Sequence, residues 1–104
     1  MKYRVSKDAR DDLDRIFVYW ANRASLETAE RLIDAIMDRF WLIGEHPGAG
    51  RAADEISSGV RCFPAGEYLI YYRKTTRPIN VLHIVHGARD QRKAFRQKPK
   101  SRNN

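Results

Sequence analysis

A chain of 104 residues has room for one domain around one core, and 42% hydrophobic content excludes an intrinsically disordered chain. No apolar run approaches the roughly 20 residues that cross a bilayer, which argues against a membrane span. The net charge of +7 points toward nucleic acid, but its distribution argues against that: seven basic residues against Asp90 put +6 into positions 89–104, and the other 13 basic and 12 acidic residues leave +1 for positions 1–88.

The opening Met-Lys-Tyr-Arg-Val-Ser-Lys-Asp lacks the apolar stretch of a secretory signal, so a cytoplasmic protein is expected. Residues 2–5 read as a short edge strand with Tyr3 and Val5 toward the core. Ser6 is placed to cap a helix, with Asp8 in a first turn whose dipole favours a carboxylate. Ala9, Leu13, Ile16, Phe17 and Trp20 recur at helical spacing and predict a helix over 7–21. Asp11 and Arg15 form an i,i+4 surface pair in this reading. The run Asp8, Asp11, Asp12 and Asp14 matches no calcium-loop spacing and reads as a solvated helix face; no metal site and no cofactor are expected.

Positions 22–24 break the pattern, and Ser25 is a second cap with Glu27 behind it. Ala29, Leu32, Ile33, Ile36, Met37, Phe40 and Ile43 trace one face of a longer helix, which Gly44 is expected to end and Pro47 to keep from continuing. So short a connection makes the two helices an antiparallel hairpin. Trp41 and Leu42 widen the apolar stripe beyond one face, and Trp20 adds another large side chain. These three and Tyr3 are candidates for a partner-binding surface, unless the loop at 45–59 covers them.

That loop, Glu-His-Pro-Gly-Ala-Gly-Arg-Ala-Ala-Asp-Glu-Ile-Ser-Ser-Gly, is long for a compact domain. Three strands follow, at 60–63, 68–74 and 79–86, joined by turns at 64–66 and 75–78. Cys62 lies in the first and reads as a small buried hydrophobe; a lone cysteine excludes an intramolecular disulfide. The last strand is apolar on both faces, as a central strand is, with Ile79, Val81 and Val85 on one side and Leu82 and Ile84 on the other. The segment 94–104 is basic with almost nothing apolar to bury, so a domain over 1–93 and a disordered tail are expected.

The order of strand, two helices and meander resembles the RelE/ParE superfamily of toxins from two-gene toxin–antitoxin systems. The residues that carry the likeness are Tyr-Arg-Val-Ser-Lys-Asp-Ala at 3–9 with Asp12, Leu13 and Ile16, and His-Pro-Gly-Ala-Gly at 46–50. Gly-Val-Arg at 59–61, Tyr68-Leu-Ile-Tyr71-Tyr72 and Ile84-Val-His-Gly-Ala-Arg-Asp90 complete it. They lie closer to the ParE branch. The likeness implies an α+β fold in which the first strand and the helical hairpin pack on a small antiparallel sheet. It implies a toxin that inhibits DNA gyrase and blocks replication, neutralised by a ParD-like antitoxin in a hetero-oligomer. The antitoxin would lay a segment that folds on binding into an apolar groove or along an open strand edge.

The RelE branch would instead imply a ribosome-dependent mRNA endonuclease that needs no metal. Attack of a 2′-hydroxyl on the adjacent phosphate requires an acid and a base, and cations for the developing charge. His86 is the acid–base candidate, with Arg61 and Arg89 as phosphate clamps. Each has a structural alternative: His86 as a strand-end residue that fixes the turn into Gly87, Arg61 as a partner of Asp90 or of a neighbouring carbonyl. His83 reads as a satisfied core or interface histidine, and Tyr68, Tyr71 and Tyr72 as sheet packing. The cation-poor meander favours the inhibitor over the enzyme. Arg92 and Lys93 are further candidates for partner contact. A third reading is a chain that has lost toxicity and survives as an antitoxin-binding protein.

Overall fold

The computed structural model describes residues 2–88, so the candidates Arg89, Arg92 and Lys93 and the expected tail lie outside the described residues. β1 (Tyr3–Val5) leads into α1 (Lys7–Arg23) and α2 (Leu26–Glu45); β2 (Arg51–Ala52), β3 (Val60–Ala65), β4 (Tyr68–Arg73) and β5 (Ile79–His86) follow. Both predicted caps are present. The Ser6 hydroxyl accepts the Ala9 amide and the Ser25 hydroxyl that of Thr28, satisfying donors that the first helical turn leaves open.

The five strands form one sheet in the order β1-β5-β4-β3-β2. β1 pairs with β5 in parallel and the other pairs are antiparallel, so the sheet is mixed. The α+β class is the expected one, and β5 is central. The hairpin covers one face. Ile16, Ile36, Phe40 and Ile43 pack there on Ile70, Tyr72, Ile79, Val81 and Ile84, with Tyr3 and Val5 against the cluster. On the other face Ala53 and Ile56, from the segment after β2, cover Val60, Cys62, Tyr71, Val85, Leu69 and Leu82.

Several local readings are corrected. The segment 45–59 contains β2, which is too short to carry an alternating pattern. Gly44 lies inside α2, and His46 caps it. The glycine is needed for proximity, since a Cβ there would stand 2.9 Å from Lys2 Cβ and 3.1 Å from the Lys2 carbonyl oxygen. β3 runs on through Pro64 and Ala65, leaving Gly66 (φ +62) and Glu67 as the turn. A bulge in β5 puts Tyr71 opposite His83 and Tyr72 opposite Val81, so Leu82 is the extra residue. The slip breaks the strict alternation assumed from sequence. Ile79, Val81 and Ile84 all face the helices, and Leu82 joins Val85 on the opposite face.

Candidate partner-binding surfaces and polar sites

The helical hairpin leaves large apolar side chains in solvent. Trp41 is 55% exposed, and Val18, Tyr19, Leu26, Met37 and Leu42 are exposed with it. Trp41 stands edge-on to Tyr3 at 6.5 Å between ring centres, and Tyr3 stands edge-on to Phe40 at 5.6 Å, so the exposed indole reaches the buried Phe40 through the half-buried Tyr3. One helical turn from Trp41, at Met37, a cavity of about 560 Å³ is lined by Val5, Leu13, Phe17, Ile33 and Met37 with the charged Lys7, Arg10, Asp11 and Asp14. Of the predicted candidates, Trp41 and Leu42 are exposed and Tyr3 is half-buried against Trp41. Trp20 belongs elsewhere: its indole nitrogen donates to the Tyr68 hydroxyl at 2.9 Å, and its ring lines a different cavity.

That second cavity, about 550 Å³, is polar. Asp12, Arg15, Glu67 and His86 line it with Ile16, Tyr19, Trp20, Tyr68 and Ile84. Asp12 corrects the reading of the aspartate run as a solvated face, because it is the buried member, at 7% exposure. Its carboxylate accepts the Ile84 amide at 2.9 Å, meets His83 Nδ1 at 2.8 Å and takes Arg15 at 2.5 Å. The bulge leaves the Ile84 amide to a side chain, and Asp12 comes from α1 to supply it. The surface pair likewise differs, since Asp11 pairs with Lys7 and Arg15 with Asp12. The sequence signal that separates Asp12 from its neighbours is its i,i+4 spacing to Ile16 on the apolar face.

The acid–base candidate His86 and the clamp candidate Arg61 are not brought together. Arg61 pairs with Tyr72 and His86 with Tyr68, four residues apart on β4, roughly 13 Å along the strand. His86 accepts the Ala88 amide at Nδ1 (3.1 Å), approaches Glu67 through Nε2 (3.2 Å) and stands edge-on to Tyr68, which holds the end of β5. Arg61 donates to the carbonyls of Gly50 (2.6 Å) and Gly48 (3.2 Å). The Tyr72 hydroxyl donates to the Pro47 carbonyl at 2.7 Å and accepts the Gly50 amide at 2.9 Å. His-Pro-Gly-Ala-Gly is therefore clasped to the sheet, and a Cβ on Gly50 would lie 2.7 Å from the Tyr72 hydroxyl and 2.8 Å from the Cys62 carbonyl oxygen.

Cys62 and Tyr71 sit together on the opposite face. Burial pushes the Cys62 thiol up, partly offset by its hydrogen bond with Tyr71, and burial likewise pushes the Tyr71 phenol up. A protonated thiol is a poor nucleophile. Among the described residues no group of three His, Cys, Asp or Glu side chains could hold a metal ion, and no helix is long and apolar enough to cross a membrane.

Comparison with known proteins decides the family. The model of the ParE toxin of type II toxin–antitoxin systems, parDE, matches residues 3–91. The chain belongs to this family. It is 29% identical over 90 residues to Toxin ParE1 of Caulobacter vibrioides, covering 86% of this chain and 93% of that one. The fold is similar to that in the solved chromosomal ParDE system of P. aeruginosa, with a TM-score of 0.73 and 22% identity, over 83% of this chain and 95% of that one. As a ParE-type toxin, the chain carries its matched segments as framework: Tyr72 and Arg61 hold the His-Pro-Gly-Ala-Gly loop, and Asp12 ties α1 to β5.

Proposed function

We propose that this ParE-type toxin inhibits DNA gyrase, blocks replication, and is neutralised by a ParD-like antitoxin. The family match over residues 3–91 carries the reading, and the separation of Arg61 from His86 supports an inhibitor without catalytic residues. The solved relative comes from a ParDE system, which supports an antitoxin of that kind. The surface it would cover is the exposed stripe around Trp41, Leu42 and Met37 with the adjoining apolar cavity, a groove suited to an amphipathic helix.

The test is induced expression without the antitoxin. DNA synthesis should stop first, a DNA-damage response should follow, and purified toxin should trap gyrase on cleaved DNA. Cleavage of mRNA ahead of any effect on replication would replace this reading with the ribonuclease. Growth without arrest would leave an antitoxin-binding protein that has lost toxicity.

A further inference from the structure

The near-neutral body conceals a basic pole. Residues 2–6 and 73–80 are far apart in sequence, and the parallel pairing of β1 with β5 brings them together. They contain Lys2, Arg4, Arg73, Lys74 and Arg77 and no acidic residue, and of these Arg73 is turned away, donating to the Ser58 carbonyl on the β3 side. Between them a cavity of about 490 Å³ is lined by Tyr3, Arg4, Val5, Arg10, Arg77 and Pro78, with three guanidinium groups and no carboxylate. The three come from a strand, a helix and a turn. Arg4 and Arg77 are exposed, and neither makes an ion pair among the described residues.

We propose that this cavity binds phosphate groups of a nucleic-acid backbone, giving the toxin a direct contact with duplex DNA. Guanidinium groups match phosphate oxygens in pairs and keep their charge at every relevant pH. An acidic peptide added as a strand is the competing ligand, and the edge itself argues against it. Ser6 donates to the Val81 carbonyl and Ile79 to the Lys2 carbonyl, so the backbone groups of Tyr3 and Val5 face away from β5. The outward carbonyl of Val5 is already taken by Arg10 at 2.9 Å. That bond blunts the edge for strand pairing while holding the Arg10 guanidinium at the cavity. A phosphate contact needs only the side chains.

The test is binding of the full-length toxin to a fluorescent 20-base-pair duplex at salt concentrations from 50 to 200 mM. If the three arginines neutralise about three phosphates, they contribute about −2.7 to the slope of log K against log salt, roughly 40-fold in affinity over that range. The Arg4→Gln, Arg77→Gln double variant should make the slope shallower by about 2. It leaves Arg10 and its bond to Val5 intact, and circular dichroism should show unchanged folding. A slope unaltered by this double variant would overturn the site, whatever cations elsewhere contribute. Loss of binding to a poly-glutamate peptide with DNA binding retained would overturn it in favour of an acidic partner. Duplex DNA alone serves as the probe, so the outcome is independent of whether gyrase is the target.

Discussion

Replacing Asp12 tests whether one carboxylate locks the hairpin to the sheet. Asp12→Ala removes the acceptor of the buried Ile84 amide and the partner of His83. A buried donor that loses its acceptor costs about 1–3 kcal/mol, and Asp12→Ala takes the acceptor from two, the Ile84 amide and His83 Nδ1. The exposed arm to Arg15 adds under about 1 kcal/mol, because that side chain is 70% exposed. The two donors and the exposed arm sum to about 2–7 kcal/mol, and a mid-range loss of about 4 kcal/mol lowers Tm by roughly 16–32 °C in a domain of this size. Asp12→Asn keeps an oxygen for the Ile84 amide and should lose about half as much. Urea unfolding of the three proteins, with the surface variant Asp11→Ala as reference, measures each difference. If Asp12→Ala lowers stability by no more than Asp11→Ala, the carboxylate is a bystander and the reasoning fails.

Tyr72→Phe deletes the hydroxyl that joins Pro47 to Gly50 and should destabilise by about 1–2 kcal/mol. Amide exchange at Gly50 should speed up with it; a protected Gly50 amide would mean that another acceptor holds the loop. Trp41→Ala should weaken antitoxin binding by at least roughly tenfold while shifting Tm little, since the indole is 55% exposed; calorimetric titration reads the first and thermal denaturation the second. The Cys62–Tyr71 pair predicts a loss of stability at alkaline pH. Both groups hold their protons more tightly folded than unfolded, so their contribution is complete below the unfolded values, about 9 for a thiol and 10 for a phenol, and is lost as pH rises above them. Denaturant midpoints between pH 7 and 11 should therefore fall from about pH 9 upward, and should fall less in Cys62→Ala.

Much of the fold can be read locally. Ser6 and Ser25 cap helices because a hydroxyl one turn back meets the open amides, a relation that spans only four residues. The apolar spacing of α2 and the two-sided apolar pattern of β5 locate the core without tertiary information. The candidate sites were less legible. Only its i,i+4 spacing to Ile16 sets Asp12 apart from its three neighbours in the sequence; the amide it serves is exposed by the β5 bulge, and a bulge has no fixed sequence signature. Arg61 and His86 seem close because both flank the meander, but antiparallel pairing places them at opposite ends of β4. Gly44 reads as a helix stop, because nothing in α2 announces that Lys2 packs against it.

Helical and strand periodicity, caps and ordered motifs alone determined the α+β class, the hairpin, the meander and the family likeness, because each is written in residues near one another. Tertiary structure decided which charges are buried, which cations gather and which apolar residues stay uncovered. Net charge over positions 1–88 is only +1, and no local count shows that Arg4 of β1, Arg10 of α1 and Arg77 of the β4–β5 turn line one cavity. Charge and exposure depend on distances through space, and those are set when strands far apart in the chain pair.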